Sequence, residues 1–245
     1  MEVTDLRIYP IKALDAVCVG EARVLASGAL EFDRRWAMQD ARGRFVNGKF
    51  HAGVHGVRSV YDLSACEVTL NQRTFSLTRQ GAEIAQWFSE LLGQAVTWNE
   101  NAEAGFPDDT DSPGPTFVST PSLERVASWF ELPLDQARPR FRTNVEFSAP
   151  EPFWEDRLYG SEFRAGDVTA FAVNPCQRCI VPQRDAQTGE RIANFQKRFA
   201  ELREAQMPAF AKTGQFNHYY RFAVNTRIAP SEAGKFIRVG APIDF

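Results

Sequence analysis

Short extended segments separated by turn residues run through most of this chain, and they restrict its fold more than any other feature. In each segment apolar or β-branched residues alternate with polar ones, the pattern of strands with one buried face. Many short strands with few helices indicate a β-barrel or curled sheet and argue against a doubly wound fold. The predicted class is therefore mainly β with a few helices (α+β). We predict strands at residues 3–9, 17–25, 30–38, 57–63, 67–70, 74–77, 169–173, 216–224 and 235–239.

Three stretches instead repeat their apolar residues with the period of a helix. The first covers residues 83–92 and is stopped by Gly93, a residue that readily ends helices. The second is capped by Thr120 and ends at Pro133, and the third lies around residues 195–202. Their aromatic residues are expected to pack in the core.

A polar stretch divides the chain near its middle. Residues 99–115 are rich in Asn, Asp, Gly and Pro, a composition typical of a linker or a flexible active-site loop. We predict a β-rich N-terminal region over residues 1–104 and a second domain over residues 105–245. The aspartates of this stretch are interpreted first as a solvated acidic loop, and a cation site or a substrate-facing lip are the alternatives.

Basic residues recur at places where the pattern predicts strand ends or exposed strand faces. Lys12 follows Pro10 at the end of the first strand, and Arg34 and Arg35 would face opposite ways on the third. The run from residue 138 to 145 is interpreted as extended, which would put Arg140 and Arg142 on one face as an anion clamp.

Two cysteines lie three residues apart, at Cys176 and Cys179, with Arg178 between them and prolines on both sides. A neighbouring cation favours the thiolate, which attacks electrophiles and binds soft metals. The spacing also suits a dithiol redox pair, half of a zinc site, a disulfide, or two reduced thiols without chemistry. Zinc is the weakest of these interpretations because no second paired motif supplies the remaining ligands.

Composition and charge narrow the possible partners. The chain has 28 Lys and Arg and 31 Asp and Glu, a net charge of −3, so no overall field attracts nucleic acid. Sequence motifs of serine hydrolases, P-loop enzymes, dinucleotide-binding folds and zinc proteases are absent. No apolar run approaches the roughly 18 residues of a membrane span, and the N-terminus lacks the pattern of a signal peptide. We therefore expect a cytoplasmic protein with free thiols.

Five motifs in order resemble one known family. They are Tyr9-Pro10-Ile11-Lys12, Asp33-Arg34-Arg35-Trp36, Arg140-Phe141-Arg142-Thr143-Asn144, Cys176-Gln177-Arg178-Cys179 and Asp185-Ala186-Gln187-Thr188-Gly189. Nearly the whole chain resembles MOSC-domain proteins with an N-terminal MOSC_N region, the group that contains the mitochondrial amidoxime reducing component and its bacterial relatives. The resemblance implies a MOSC-type β-barrel with an N-terminal β-rich or αβ subdomain.

The resemblance also implies a molybdenum cofactor, whose metal is ligated by a pterin dithiolene and by Cys179 as the catalytic centre. By motif position, Lys12 and Arg34 would hold the cofactor phosphate. The implied cofactor-binding set is completed by Arg142, Asn144 and Arg178, with Asp111 and Ser112 as weaker candidates for a substrate lip.

The implied activity is reduction of N-hydroxylated compounds, by oxygen-atom transfer to the reduced metal. Electrons would come from a separate protein of the ferredoxin, flavodoxin or cytochrome b5 type. Two departures from the family pattern stand out: Ala13 replaces a serine, and the loop at residues 181–186 differs, which bears on the substrate lip. A sulfur carrier with a cysteine persulfide and a non-catalytic cofactor carrier are the alternatives.

Overall fold

The computed structural model describes residues 1–245 and contains fifteen strands and four α-helices. The helices are α1 (Gly81–Leu92), α2 (Thr120–Trp129), α3 (Leu134–Phe141) and α4 (Phe195–Ala205). The strands are β1 (Val3–Ile8), β2 (Val17–Cys18), β3 (Glu21–Arg23), β4 (Trp36–Asp40), β5 (Ser59–Asp62), β6 (Glu67–Leu70), β7 (Arg73–Ser76), β8 (Val96–Glu100), β9 (Phe117–Ser119), β10 (Val145–Phe147), β11 (Glu162–Ala165), β12 (Val168–Gln177), β13 (Arg221–Ile228), β14 (Phe236–Arg238) and β15 (Ile243–Asp244). The prediction of a mainly β chain with a few helices is confirmed.

The largest sheet contains strands from both ends of the chain. Its eight strands lie in the order β15-β11-β12-β13-β9-β10-β1-β2. All its pairs are antiparallel except β10 with β9, which run parallel. Buried apolar side chains fill its inner face, among them Leu6, Phe117, Phe147 and Val224. The N-terminal strand β1 is therefore part of the same core as the C-terminal half of the sequence.

The N-terminal half adds a smaller unit with its own core. Strands β5, β6 and β7 form the predicted meander, and the turn between β6 and β7 has positive φ at Asn71 and Gln72, as tight hairpins require. Helix α1 ends where predicted, because Gly93 adopts the left-handed conformation at φ 64°. Both predictions are confirmed.

Several predicted extended segments differ in the structure. The strand predicted at residues 17–25 is divided into β2 and β3, and the one predicted at residues 216–224 begins only at Arg221 and continues to Ile228. Residues 31–34 form a turn, and the strand begins only at Trp36. Residues 134–141 form helix α3, so Arg140 and Arg142 do not share a strand face; the clamp prediction is wrong. Pro133 and Pro139 hid this helix from the pattern, since proline interrupts helical hydrogen bonding. The strand predicted at residues 169–173 continues as β12 through Cys176 to Gln177.

A buried carboxyl group lies under α2, far from the cysteine motif in sequence. Oε2 of Glu155 is 2.9 Å from Oγ of Ser119 and 2.8 Å from Oγ of Ser122, and the two hydroxyl oxygens are 2.7 Å apart. Three oxygen–oxygen contacts need three protons, but two hydroxyls supply only two. Glu155 must therefore carry the third, and burial together with the charge of Asp156 raises its pKa to about 7.

The pH dependence of folding follows from this proton. The pKa of Glu155 in the folded state lies above its ordinary value of 4.5. Proton binding to Glu155 therefore stabilises the fold fully below pH 4.5, and this stabilisation is lost as the pH rises through about 7. Glu155→Gln keeps a donor without titrating, so we expect the variant to exceed wild type in unfolding free energy by roughly 3 kcal/mol at pH 8. At pH 4.5 the difference should nearly vanish.

Urea unfolding at the two pH values measures this difference. Glu151→Gln is the matched control, because the Glu151 side chain is 51% exposed and its Arg157 partner is 3.8 Å away. A Glu155→Gln variant with the same pH dependence as wild type would show that Glu155 is ionised in the fold.

None of the helices is both long and apolar enough to span a bilayer.

Candidate functional site

Three cations from separate parts of the chain converge beside the end of β1. Lys12 follows that strand, and its amide donates to the carbonyl of Trp36 at 2.8 Å. Arg34 lies in the turn before β4 with φ 51°, held by an amide hydrogen bond to the carbonyl of Tyr9 at 2.8 Å. Arg142 ends α3 with φ 52°. We call Lys12, Arg34 and Arg142 the cation cluster.

The ring of Tyr9 is the platform on which the two guanidiniums lie. The guanidinium carbon of Arg34 is 5.2 Å from the ring centroid and that of Arg142 is 4.2 Å away. The Tyr9 hydroxyl donates to the carbonyl of Thr143 at 3.1 Å, and its amide donates to Asp33 Oδ1 at 2.9 Å. These bonds fix the ring, and cation–π attraction then holds both arginines at one place.

Lys12 completes the cluster from a buried position. Its Nζ donates to the carbonyl of Phe106 at 2.8 Å and to the carboxylate of Asp108, and it lies 5.0 Å from the centroid of the Phe45 ring. Burial lowers the pKa of Lys12, and the charge of Asp108 opposes that change. The charges of Lys12, Arg34 and Arg142 hold the pKa of the Asp108 carboxyl below its usual range.

The charge count of this region leaves an excess of cations. Asp33 pairs with Arg34, and Asp108 pairs with Lys12. Arg142 has no carboxylate partner; it donates to the carbonyl of Leu14 at 2.6 Å. An arginine stays charged in proteins. The cation cluster is therefore a place where an anion can bind.

The two cysteines occupy different environments at the end of β12. Two irregularities in the pairing of β12 with β13 flank Asn174 and Pro175, and Ala223 on β13 has φ 68°. Bulges of this kind redirect side chains near functional sites. Burial raises the pKa of the Cys176 thiol, against the charge of Arg178, so the predicted low pKa does not hold for this cysteine.

The second cysteine lies outside the strand. Cys179 is exposed, its Sγ accepts a hydrogen bond from the amide of Val181 at 3.4 Å, and its carbonyl accepts one from the Tyr220 hydroxyl at 3.0 Å. Cys179 is the thiol that an external ligand can reach.

Arg178, between the cysteines, is directed into the protein. Its guanidinium donates to the carbonyl of Phe222 at 2.9 and 2.6 Å and to the carbonyl of Phe141 at 2.9 Å. These bonds attach the loop at residues 178–185, which we call the cysteine loop, to β13 and to the end of α3. The structure thus places Arg178 as a support of the loop, although the sequence grouped it with cofactor contacts.

Arg140 makes a second connection between α3 and the cysteine loop. Its guanidinium lies 3.1 Å from Asp185 and donates to the carbonyl of Pro182 at 3.4 Å. Because Arg142 follows directly after α3, these contacts place the cation cluster beside the cysteine loop. Arg178 of the cysteine loop also donates to the carbonyl of Phe141, the residue directly before Arg142, at 2.9 Å, which brings the two groups together.

The remaining predicted residues take different places. Asn144 is buried and bonded within the sheet: its side-chain oxygen accepts from the amide and hydroxyl of Thr116, and its nitrogen donates to the carbonyl of Arg7. Asp111 is exposed, and its carbonyl accepts from Arg227. Ser112 is buried, and its Oγ has no hydrogen-bond partner.

Tyr9, Asp33 and Asp108 were not among the site residues predicted from the sequence. Tyr9 and Asp33 belong to the same short motifs as Lys12 and Arg34, and that neighbourhood could have pointed to them. Asp108 stands in the acidic loop with no local feature that separates it from Asp109 or Asp111. Only the folded chain brings it to Lys12.

Comparison with known proteins assigns the class. Residues 1–95 match the MOSC N-terminal beta barrel domain and residues 116–244 match the MOSC domain. The second match alone covers more than half of the chain, which therefore belongs to the MOSC family and carries a MOSC_N region before the MOSC domain. The resemblance drawn from the five motifs is confirmed. The boundary predicted between residues 104 and 105 lies between the two matches and stays a prediction.

The chain is also similar to curated proteins from flies. A molybdenum cofactor sulfurase of Drosophila grimshawi is 25% identical over 241 residues, which cover 84% of this chain and 31% of the relative. Proteins of the same name from Drosophila mojavensis and Drosophila melanogaster are 25% and 22% identical over 238 and 242 residues, covering 83% and 84% of this chain and 30% of each relative. This chain thus spans about a third of the length of these relatives.

One solved structure, described as a hypothetical protein, has a TM-score of 0.39 and 12% identity, with 100% of this chain and 67% of that chain covered. That score is too low to relate the two folds.

Proposed function

We propose that this chain binds a molybdenum–pterin cofactor and reduces N-hydroxylated compounds at it. The observation that carries the proposal is the convergence of one buried and two half-buried cations beside a loop with an exposed thiol. Side chains at Lys12, Arg34 and Arg142 are far apart in sequence, yet all three act on the same carboxylate, that of Asp108. A ligand that carries both a phosphate group and a soft metal needs a basic pocket for the phosphate and a nearby sulfur for the metal.

The residues fit such a cofactor in two respects. The cation cluster already accepts an anion, since the Asp108 carboxylate lies on Lys12. The thiolate of Cys179 is a soft donor suited to a metal that also has sulfur ligands. No group of three or more His, Cys, Asp or Glu side chains in residues 1–245 could hold a metal ion on its own. A single protein ligand, with the others supplied by the cofactor, agrees with this.

Each residue then has a distinct part. Lys12 and Arg34 would hold the phosphate, Arg142 would lie along the pterin, and Cys179 would ligate the metal. Arg178 would keep the cysteine loop in place, and Asn144, whose amide is bonded to Thr116 and Arg7, would support the strands behind the pterin. Asp111 is exposed and Ser112 is buried, so Asp111 would be the member of this lip that a substrate could reach.

The bound molybdenum centre would supply two-electron oxygen-atom transfer. The overall reaction takes one N–OH group, two electrons and two protons to N–H and water. The electrons would come from a separate protein of the ferredoxin, flavodoxin or cytochrome b5 type. Four free cysteines suit a reducing compartment, and we place the reaction in the cytoplasm.

Metal analysis tests the proposal. Protein purified from a host that makes the cofactor should carry about one molybdenum per chain, and protein from a host without it should carry none. Turnover of an N-hydroxylated model compound with a chemical reductant should follow the molybdenum content. Protein that remains free of molybdenum in the competent host would contradict the proposal.

A sulfur-carrier role is the second candidate, and the similarity to molybdenum cofactor sulfurases favours it. In that case the exposed Cys179 would hold a persulfide. Stoichiometric persulfide on metal-free protein distinguishes this role, and bound cofactor without turnover by any donor identifies a cofactor carrier.

A further inference from the structure

Asp108 differs from the other acid of the site in how firmly it is held. Asp33 pairs with Arg34, accepts from the Tyr9 amide, and its side chain is 11% exposed. The carboxylate of Asp108 has one hydrogen-bond partner, Lys12, and its side chain is 82% exposed although that of Lys12 is only 9% exposed. The aspartate therefore approaches the buried ammonium from the solvent side.

The loop that carries Asp108 is bonded to β13 through Asp109, Asp111 and Pro115, but the Asp108 side chain itself contacts only Lys12. Residues 107–115 form no helix or strand, whereas Lys12, Arg34 and Arg142 are fixed by backbone and ring contacts. Moving the Asp108 side chain breaks its one hydrogen bond, the bond with Lys12. Because only the Asp108 half of this ion pair is exposed, an incoming anion can reach Lys12 from the solvent side and replace the carboxylate.

We propose that Asp108 is an internal counter-anion that occupies the cation cluster until the cofactor phosphate displaces it, and so determines which anions the site admits. This rests on the anion site of the proposed function. The Asp108 carboxylate carries one negative charge, and a phosphate dianion offers two charges and more acceptor oxygens to Lys12, Arg34 and Arg142. Weaker anions then fail to displace it, and the site stays closed to them.

Removing the internal anion should strengthen binding of an external one. Asp108→Asn keeps the size of the side chain and removes its charge, so the variant should bind inorganic phosphate about tenfold more tightly than wild type. Glu103→Gln is the matched control, because Glu103 is exposed in the same loop and has no side-chain contact with Lys12. The control should bind phosphate as wild type does.

Calorimetric titration with inorganic phosphate, at constant ionic strength and on protein from a host without the cofactor, measures these affinities. Asp108→Asn with wild-type or weaker affinity overturns the role of Asp108, while the proposed function survives if Lys12→Met weakens binding. If Lys12→Met binds phosphate as well as wild type does, the anion site fails and the proposed function loses its support. The readout needs no turnover.

Discussion

Cys179→Ser is expected to lower N–O reduction by about 100-fold or more and to change the spectrum of the bound molybdenum, while Cys176→Ser keeps most of the activity. A serine oxygen is a harder ligand atom than a cysteine sulfur, and the hydroxyl loses its proton far less readily than a thiol. Serine is therefore a poor ligand for a soft metal. Cys179 is exposed, and its Sγ accepts a hydrogen bond from the amide of Val181. Burial raises the pKa of Cys176, which therefore stays a neutral thiol.

The measurement compares both variants, loaded with cofactor, for molybdenum content, X-ray absorption at the molybdenum edge and turnover with a chemical reductant. Loss of one sulfur from the metal's coordination in Cys179→Ser alone supports a single ligand. Because Cys176 lies near Arg34 and Asp108, the reverse result would assign the ligand to Cys176. Equal inactivation of the two variants would indicate a dithiol pair and would contradict a single thiolate ligand.

Arg34→Ala is expected to reduce cofactor retention by about 10- to 100-fold, and Arg35→Ala should have little effect. A charge-assisted hydrogen bond is worth about 1.5–3 kcal/mol, which corresponds to that range. The two arginines are neighbours, but only Arg34 lies over the Tyr9 ring with Arg142. Arg35 instead pairs with Glu100 at 2.8 and 2.6 Å on the edge of β8.

Retention is measured as molybdenum per chain after extended dialysis of each variant. Arg34→Lys is the second variant, because it keeps the charge near Asp33 and should recover part of the retention. The unfolding free energy of the cofactor-free variants separates a binding effect from loss of the fold. Equal losses in Arg34→Ala and Arg35→Ala, with the fold intact, would show that Arg34 does not contact the phosphate.

Local sequence patterns determined the elements whose hydrogen bonds close within a few residues. The meander at β5, β6 and β7, the turn at Asn71 and Gln72, and the end of α1 at Gly93 all followed from such patterns. The motifs around Lys12, Arg34 and Cys179 also identified the family, because each is a short contiguous string. In the meander, the turn and the helix end, neighbouring residues alone decide the conformation.

Sequence patterns failed where contacts between distant residues override them. The run at residues 134–141 is charged and contains Pro139, yet it is helical because Phe141 and Ala137 pack into the core and Arg140 reaches the cysteine loop. Arg34 takes its left-handed turn because the end of β1 binds its amide. Such contacts join positions dozens of residues apart, and no local propensity encodes them.

The site itself therefore has two origins. The sequence by itself determined which chemical groups are present: a thiol pair, separated basic residues and an acidic loop. Only the tertiary structure decided that Arg178 turns inward to two carbonyls, that Cys176 is half-buried while Cys179 is exposed, and that Asp108 lies on Lys12. The reason is that burial and charge pairing depend on which distant segments meet, and those meetings are settled by the packing of the whole chain.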